Sequence, residues 1–221
     1  MKPKALISWS SGKDATWALH RARQAGEYEI VGALTTITEN FDRVSMHGVR
    51  RELLDAQLRA ANLPLLPVTI PSPCPNEIYE ARMGEAIAAA RANGVTKIVF
   101  GDLYLEDIRA YREEKLRGSG IEPVFPLWKI PTSQLAREMI ASGLQARVAC
   151  LDPKKMPRDL AGKEFDEELL TALPPNVDPC AENGEFHTCV TGGPMFSKNL
   201  EVKTGEVVER DGFVFADLML V

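Results

Sequence analysis

The 221-residue sequence contains no run of lysine or arginine and carries a net charge of −5. That balance argues against a nucleic-acid binder, which usually presents a basic face, although a local basic patch stays open. No apolar stretch reaches the ~20 residues that a membrane-spanning helix requires. The N-terminal MKPKALISWS has two lysines, but its apolar run is too short for a secretory leader. A cytoplasmic protein without a membrane partner is expected. The four cysteines, Cys74, Cys150, Cys180 and Cys189, include no C-x-x-C pair. That spacing argues against a zinc site or a redox dithiol and for reduced, packed thiols. Internal repeats and low-complexity tracts are missing. Two common nucleotide signatures fail as well. A G-x-x-x-x-G-K-[ST] loop would need glycine where Ile7 stands and a hydroxyl where Asp14 follows Lys13, and no G-x-G-x-x-G turn occurs.

What the sequence does have is an ordinary globular composition, 45% hydrophobic and 26% charged. Its length suits one large domain, or a medium one with an appendage. Leu6-Ile7-Ser8 reads as a buried strand that breaks into Trp9-Ser10-Ser11-Gly12-Lys13-Asp14. Helical spacing follows at once through Ala15, Ala18, Leu19 and Ala22. Further strands are expected at Ile30–Thr36, Leu65–Ile70, Lys97–Phe100 and Val124–Phe125, with Pro67 restricting the second of these to a short or edge strand. Helices are expected through Leu53, Ala56 and Ala60, through Tyr79, Met83, Ala86 and Ala90, and over roughly Glu106 to Arg117. The stretch from Asn40 to His47 reads as polar and irregular. Strands alternating with helices imply an α/β fold, with a parallel five-stranded sheet covered on both faces. Beyond Trp128 the pattern changes: a helix ending at Gly143, a strand at Ala146–Leu151, proline-punctuated loops, and β-like segments at Phe186–Val190 and Phe213–Val221. Asp211-Gly212 signals a hairpin. The expected division is a nucleotide-binding domain over residues 1–127 and a smaller α+β substrate-binding domain over residues 128–221.

A strand, a small-residue turn and a helix N-terminus gather backbone N–H groups around an anion, and Lys13 adds a positive charge there. An ordinary βα turn with an incidental lysine is the alternative. The motif S-S-G-K-D-A resembles the S-G-G-K-D-S signature of the PP-loop ATP pyrophosphatases, with Ser11 in place of a glycine and Ala15 in place of the last serine. A second block, Asp178-Pro179-Cys180-Ala181-Glu182-Asn183-Gly184-Glu185-Phe186-His187-Thr188, with Gly193-Pro194-Met195-Phe196 after it, reads by itself as a solvated acidic turn. Beside the first motif it resembles the D-x-C-G-E-x-G-E-F-H-T…G-P-x-F block of the diphthine–ammonia ligase family, with Ala181 at a glycine position. Met46-His47-Gly48-Val49, Phe100-Gly101-Asp102 and Phe125-Pro126-Leu127-Trp128 extend the likeness, in family order, over essentially the whole chain.

That resemblance implies a Rossmann-like sheet of the HUP type and an ATP-dependent amide ligase. ATP adenylates a carboxylate, pyrophosphate leaves, and ammonia attacks the acyl-adenylate; the family's acceptor is diphthine, a modified histidine of elongation factor 2. It further implies ATP contacts at Ser10, Ser11, Gly12, Lys13, Asp14, Thr35 and Gly101. Lys13, Asp102, Glu182 and Glu185 are the implied catalytic residues, and Asp14 and Asp102 the implied Mg²⁺ ligands. His47, Arg109 and His187 are the implied acceptor contacts, with Arg112 beside Arg109 on the same charged helix. The chain is too short to add a glutaminase, so free ammonium or a separate partner is the expected nitrogen source. Eukaryotic members are expected to carry further C-terminal domains, which makes this the compact prokaryotic form. Three rival readings stay open: amidation of a different acceptor in a bacterium without diphthamide, tRNA thiolation, and an ATP- or AMP-binding sensor that Ala15 would favour. Homo-oligomerisation is left open too.

Overall fold

The computed structural model describes residues 1–221. Strand β1 (Lys4–Ser8) lies at the centre of the first sheet, parallel to β2 (Glu29–Thr38) on one side and to β5 (Val95–Val99) on the other. Outside β2 runs β4 (Leu65–Ile70), and outside β5 runs β6 (Glu122–Val124), both parallel. These are the five expected parallel strands. A sixth, the two-residue β3 (Arg43–Val44), pairs antiparallel with the end of β2 inside the stretch that reads as irregular. Pro67 lies in β4, which pairs only with β2, so its missing N–H falls on an edge strand.

Alternation along β1 sets the two faces of the sheet. Ala5 and Ile7 enter a core of 40 buried residues, and Leu6 enters a second cluster of 11. The larger core takes in α1 (Lys13–Ala25), α2 (Arg51–Ala60) and α5 (Thr132–Ala141). The smaller is closed by α3 (Asn76–Ala92) and α4 (Glu106–Leu116). Helix α1 presents Ala15, Ala18, Leu19 and Ala22 inward, as the periodicity requires. It stops at Gly26, whose φ of +65° is left-handed and whose N–H reaches the Ala22 carbonyl. Leu19 and Trp17 are fully buried, and burial of side chains of this size contributes about 1.5–3 kcal/mol each, which anchors the helix whose first residues border the cavity.

The C-terminal domain holds a second, antiparallel sheet in the order β8-β7-β10-β9. Its strands are β7 (Gln145–Leu151), β8 (Phe186–Gly192), β9 (Val202–Arg210) and β10 (Phe213–Leu220). Asp211 and Gly212 both have positive φ, as a two-residue hairpin turn needs. A short helix, α6 (Glu167–Ala172), is absent from the sequence reading. Six residues are too few to show a helical period, and its N-cap, where Asp166 accepts from the Leu169 N–H, is a purely local device. Val148, Leu151, Phe186 and Val190 of this sheet belong to the 40-residue core, so one apolar interior runs from the parallel sheet into the antiparallel one. No helix is long and apolar enough to cross a membrane.

Candidate functional site

In open parallel sheets, ligands collect at the carboxyl ends of the strands where the strand order reverses. Here the reversal lies between β1 and β5. The loops that leave those two strands, Trp9–Gly12 and Phe100–Asp102, flank a cavity of about 580 Å³. The two loops touch closely: a Cβ on Gly101 would lie 2.7 Å from the backbone carbon of Asp14. Glycine at 101 is therefore what lets the end of β5 approach the start of α1. Apolar side chains from β2, β4, α3 and the end of β5 (Leu34, Ile70, Tyr79, Met83, Phe100) form one wall, suited to a flat heterocycle. Ser10, Lys13, Asp14 and Asp102 form the polar side, and the segment 181–188 of the C-terminal domain covers it.

The loop after β1 turns at Ser11, which is fully buried with φ +69°. Lys13 opens α1, and its backbone N–H donates to Thr188 Oγ1 at 3.0 Å. The Lys13 ammonium is almost wholly buried. It donates to Asp14 Oδ2 at 3.0 Å and to the Cys180 carbonyl, and it lies 5.3 Å from the Phe186 ring centroid. Burial works against its charge, but Asp14 first, and Glu182 after it, outweigh that effect and hold its pKa above the usual lysine value. The other oxygen of Asp14, Oδ1, is buried without a partner. No cluster of three or more His, Cys, Asp or Glu side chains encloses a metal position.

Glu182 reaches across from the C-terminal domain. Its Oε1 accepts from the backbone N–H groups of Leu103 (2.7 Å) and Tyr104 (3.3 Å), just beyond β5. Burial, helped by the Asp14 and Asp102 charges, pushes its carboxyl up to about 7 against the pull of those two N–H donors. Ala181 before it has φ +57°, so the position where the resembled block has glycine is indeed left-handed. His47 and His187 pack together with ring centroids 4.5 Å apart and their planes tilted by 36°. Burial is the main cause that keeps both neutral: it lowers His187 to about 4, and with the neighbouring His187 it puts His47 well below its ordinary value. His47 also packs over Gly12, where a Cβ would come within 2.8 Å of its Cε1.

The cavity thus gathers Ser10, Lys13, Asp14, Gly101, Asp102, Glu182, His47 and His187, with Gly12 directly beneath His47. Four other candidates lie elsewhere. Thr35 is buried, and its neighbour Thr36 lines the cavity instead. The Ser11 hydroxyl is buried without a partner. Glu185 is buried behind the wall, where Oε1 accepts from the Asp178 N–H and the Asn183 amide while Oε2 has no partner; it braces the 178–185 loop. Arg109 is held by Glu113 at 2.8 Å and lies over the rings of Phe125 and Trp128. Arg112, one turn on, is the guanidinium that lines the cavity, 3.5 Å from Asp102 and over Phe100. Two further residues bear on the loop: Thr188, which closes the matched acidic block without an assigned role, and Gln57, which no motif marks. The available signal for Gln57 is a polar side chain four residues after Leu53 and three before Ala60, inside the apolar stripe of α2. All four cysteines are free, and burial raises the thiols of Cys150 and Cys189 to about 12 and that of Cys180 as well, so none of these three is a thiolate at neutral pH.

Residues 1–123 match the family model described as the diphthamide synthase N-terminal domain, and residues 131–216 match that of the C-terminal domain. Human diphthine–ammonia ligase is 28% identical over 98% of this chain and 88% of its own length, and the bovine protein gives the same figures. The fission-yeast protein of that name is 34% identical over 41% of this chain, but only 16% of its own length is matched. Extra length is therefore not general among eukaryotic relatives, so the expected distinction of a compact prokaryotic form does not follow from size.

Proposed function

For a chain that belongs to the diphthamide synthase family, we propose an ATP-dependent amide ligase that adenylates an acceptor carboxylate and transfers the acyl group to ammonia. The observation that carries this reading is the docking of Glu182, from the acceptor-side segment, onto the backbone just past β5, in the wall of the cavity that also holds Lys13 and Asp14. A nucleotide loop and a carboxylate with a pKa near 7 share one chamber of nucleotide size.

In the proposed reaction the acceptor carboxylate oxygen attacks the α-phosphorus of ATP, and the bond to the β-phosphate breaks. The leaving pyrophosphate lies against Ser10, Gly12 and the Lys13 ammonium, whose charge is preorganised and desolvated. Ammonia then attacks the acyl carbon, and AMP departs with the former carboxylate oxygen. The attacking nitrogen sheds a proton, and Glu182 is the group whose affinity is matched to accept it near neutral pH. The neutral His47–His187 pair lines the acceptor side without adding charge. The acceptor enters through a second cavity of about 430 Å³ that shares Val44, Met46 and His187 with the first; in the relatives the acceptor is named as diphthine.

Asp14, whose Oδ1 has no partner, and Asp102, which lines the same chamber, would hold magnesium there, since no all-protein cage is present. When bound, it offsets polyphosphate charge in a cavity where three carboxylates (Asp14, Asp102, Glu182) face two cations (Lys13, Arg112). Product analysis with ammonium and a diphthine-bearing acceptor tests the reading: AMP and pyrophosphate are expected, and Lys13→Ala should abolish them. ADP as product, or undiminished turnover in Lys13→Ala, would refute it.

A further inference from the structure

Gln57 is fully buried on α2 beside Leu53, Leu54 and Leu58, in a position where a leucine would pack. Its amide is spent on the loop after β1 and on β8. Nε2 donates to the Ser11 carbonyl at 3.1 Å and to the Val190 carbonyl at 2.7 Å, while Oε1 accepts from Trp9 Nε1 at 3.2 Å. Alongside it, the Val190 N–H donates to the same Ser11 carbonyl at 2.9 Å, and the Lys13 N–H donates to Thr188 Oγ1. The Ser11 carbonyl is thereby drawn into the interior, away from the cavity, and its residue is held in a left-handed conformation that is energetically costly for an L-residue. A carbonyl released toward the cavity would turn the negative end of a peptide dipole on an anion.

We propose that Gln57 is a positioning residue that clamps the Ser10–Lys13 loop to β8 in the conformation that binds the β- and γ-phosphates of ATP. It also fixes the separation between that loop and the Glu182–Thr188 segment. This rests on the reading of the loop as a polyphosphate site. The clamp acts on the end of the nucleotide that ATP and pyrophosphate share and AMP lacks, so its loss separates their affinities. A general packing role would move all three together.

The test is titration calorimetry of ATP, inorganic pyrophosphate and AMP, with magnesium constant, on the full chain and its variants. In Gln57→Leu, ATP and pyrophosphate should weaken by about tenfold or more, the scale of one net hydrogen bond, while AMP stays within about twofold. Gln57→Glu keeps the proposal open to refutation should the leucine variant fold poorly. Its carboxylate repels the Ser11 and Val190 carbonyls, whereas its protonated form can donate to one of them. The ATP-to-AMP affinity ratio of Gln57→Glu, measured against wild type at the same pH, should therefore rise as pH falls from about 8 to about 5.5. Parallel weakening of ATP and AMP, or no change in either, overturns the clamp. Lys13→Ala keeps the two claims apart. If it loses pyrophosphate while Gln57→Leu retains it, only the clamp fails; if it retains pyrophosphate, the phosphate reading fails and the clamp with it.

Discussion

Replacing Glu182 with glutamine should make the protein more stable and less active, with a pH dependence that can be worked from the structure. Burial raises this carboxyl from the ordinary 4.5 to about 7. Well below pH 4.5 the side chain is protonated in both folded and unfolded chains, and it contributes no difference. Between about 4.5 and 7 only the folded chain keeps the proton, so stability falls as pH rises through that window. Above it the folded protein carries a carboxylate it would rather have protonated. The shift sets a ceiling of about 3 kcal/mol, and solvent in the cavity reduces this to about 1–3 kcal/mol. A glutamine oxygen can still accept from the Leu103 and Tyr104 N–H groups, so the bonds that seat the side chain survive. Urea unfolding of Glu182→Gln and wild type should therefore coincide near pH 4 and diverge by about 1–3 kcal/mol, in the variant's favour, by pH 8. AMP formation should fall by about 10²-fold or more in the same variant, because the proton acceptor is gone. A variant less stable than wild type at pH 8, or a stability difference flat across the range, would refute the reasoning.

Asp217 supplies the opposite sign. Hydrogen bonds from Arg50, then Arg43, hold its carboxyl down at about 2, so it stabilises the fold above about pH 4 and loses that contribution as pH falls through 2. Asp217→Asn should cost about 1–2 kcal/mol at pH 7 and no more than about 0.5 kcal/mol near pH 2, read by chemical denaturation at both. Ser11→Gly and Ala181→Gly should each stabilise by about 0.5–1 kcal/mol, because both residues sit at left-handed φ and the gain exceeds glycine's extra unfolded-state entropy; a loss of stability in thermal melts would contradict this.

Much of the fold was legible because buried parallel strands are nearly continuous apolar runs, and Gly26, Gly94 and Gly143 end helices where the chain must turn back. Both positions at which the sequence departs from a family glycine, Ser11 and Ala181, adopt the conformation that explains the glycine. Where a candidate side chain lies away from the cavity, the cause is local. Thr35 and Thr36 are adjacent on β2 and point to opposite faces, so a residue type alone does not say which one meets the cavity. Arg109 and Arg112 lie one turn apart, but Glu113, Phe125 and Trp128 capture the first and leave the second to Asp102 and Phe100. Glu182 and Glu185 share one loop, and only tertiary contacts send the first to the cavity and the second into its backing. Gln57 meets Trp9, Ser11 and Val190 across separations no local pattern spans.

The central claim is that the acceptor carboxylate is adenylated, and oxygen transfer tests it most directly. With an acceptor whose carboxylate carries oxygen-18, ATP and ammonium, one labelled oxygen should appear in the phosphate of AMP for each amide formed. Label in inorganic phosphate beside ADP, or AMP free of label, would contradict the account.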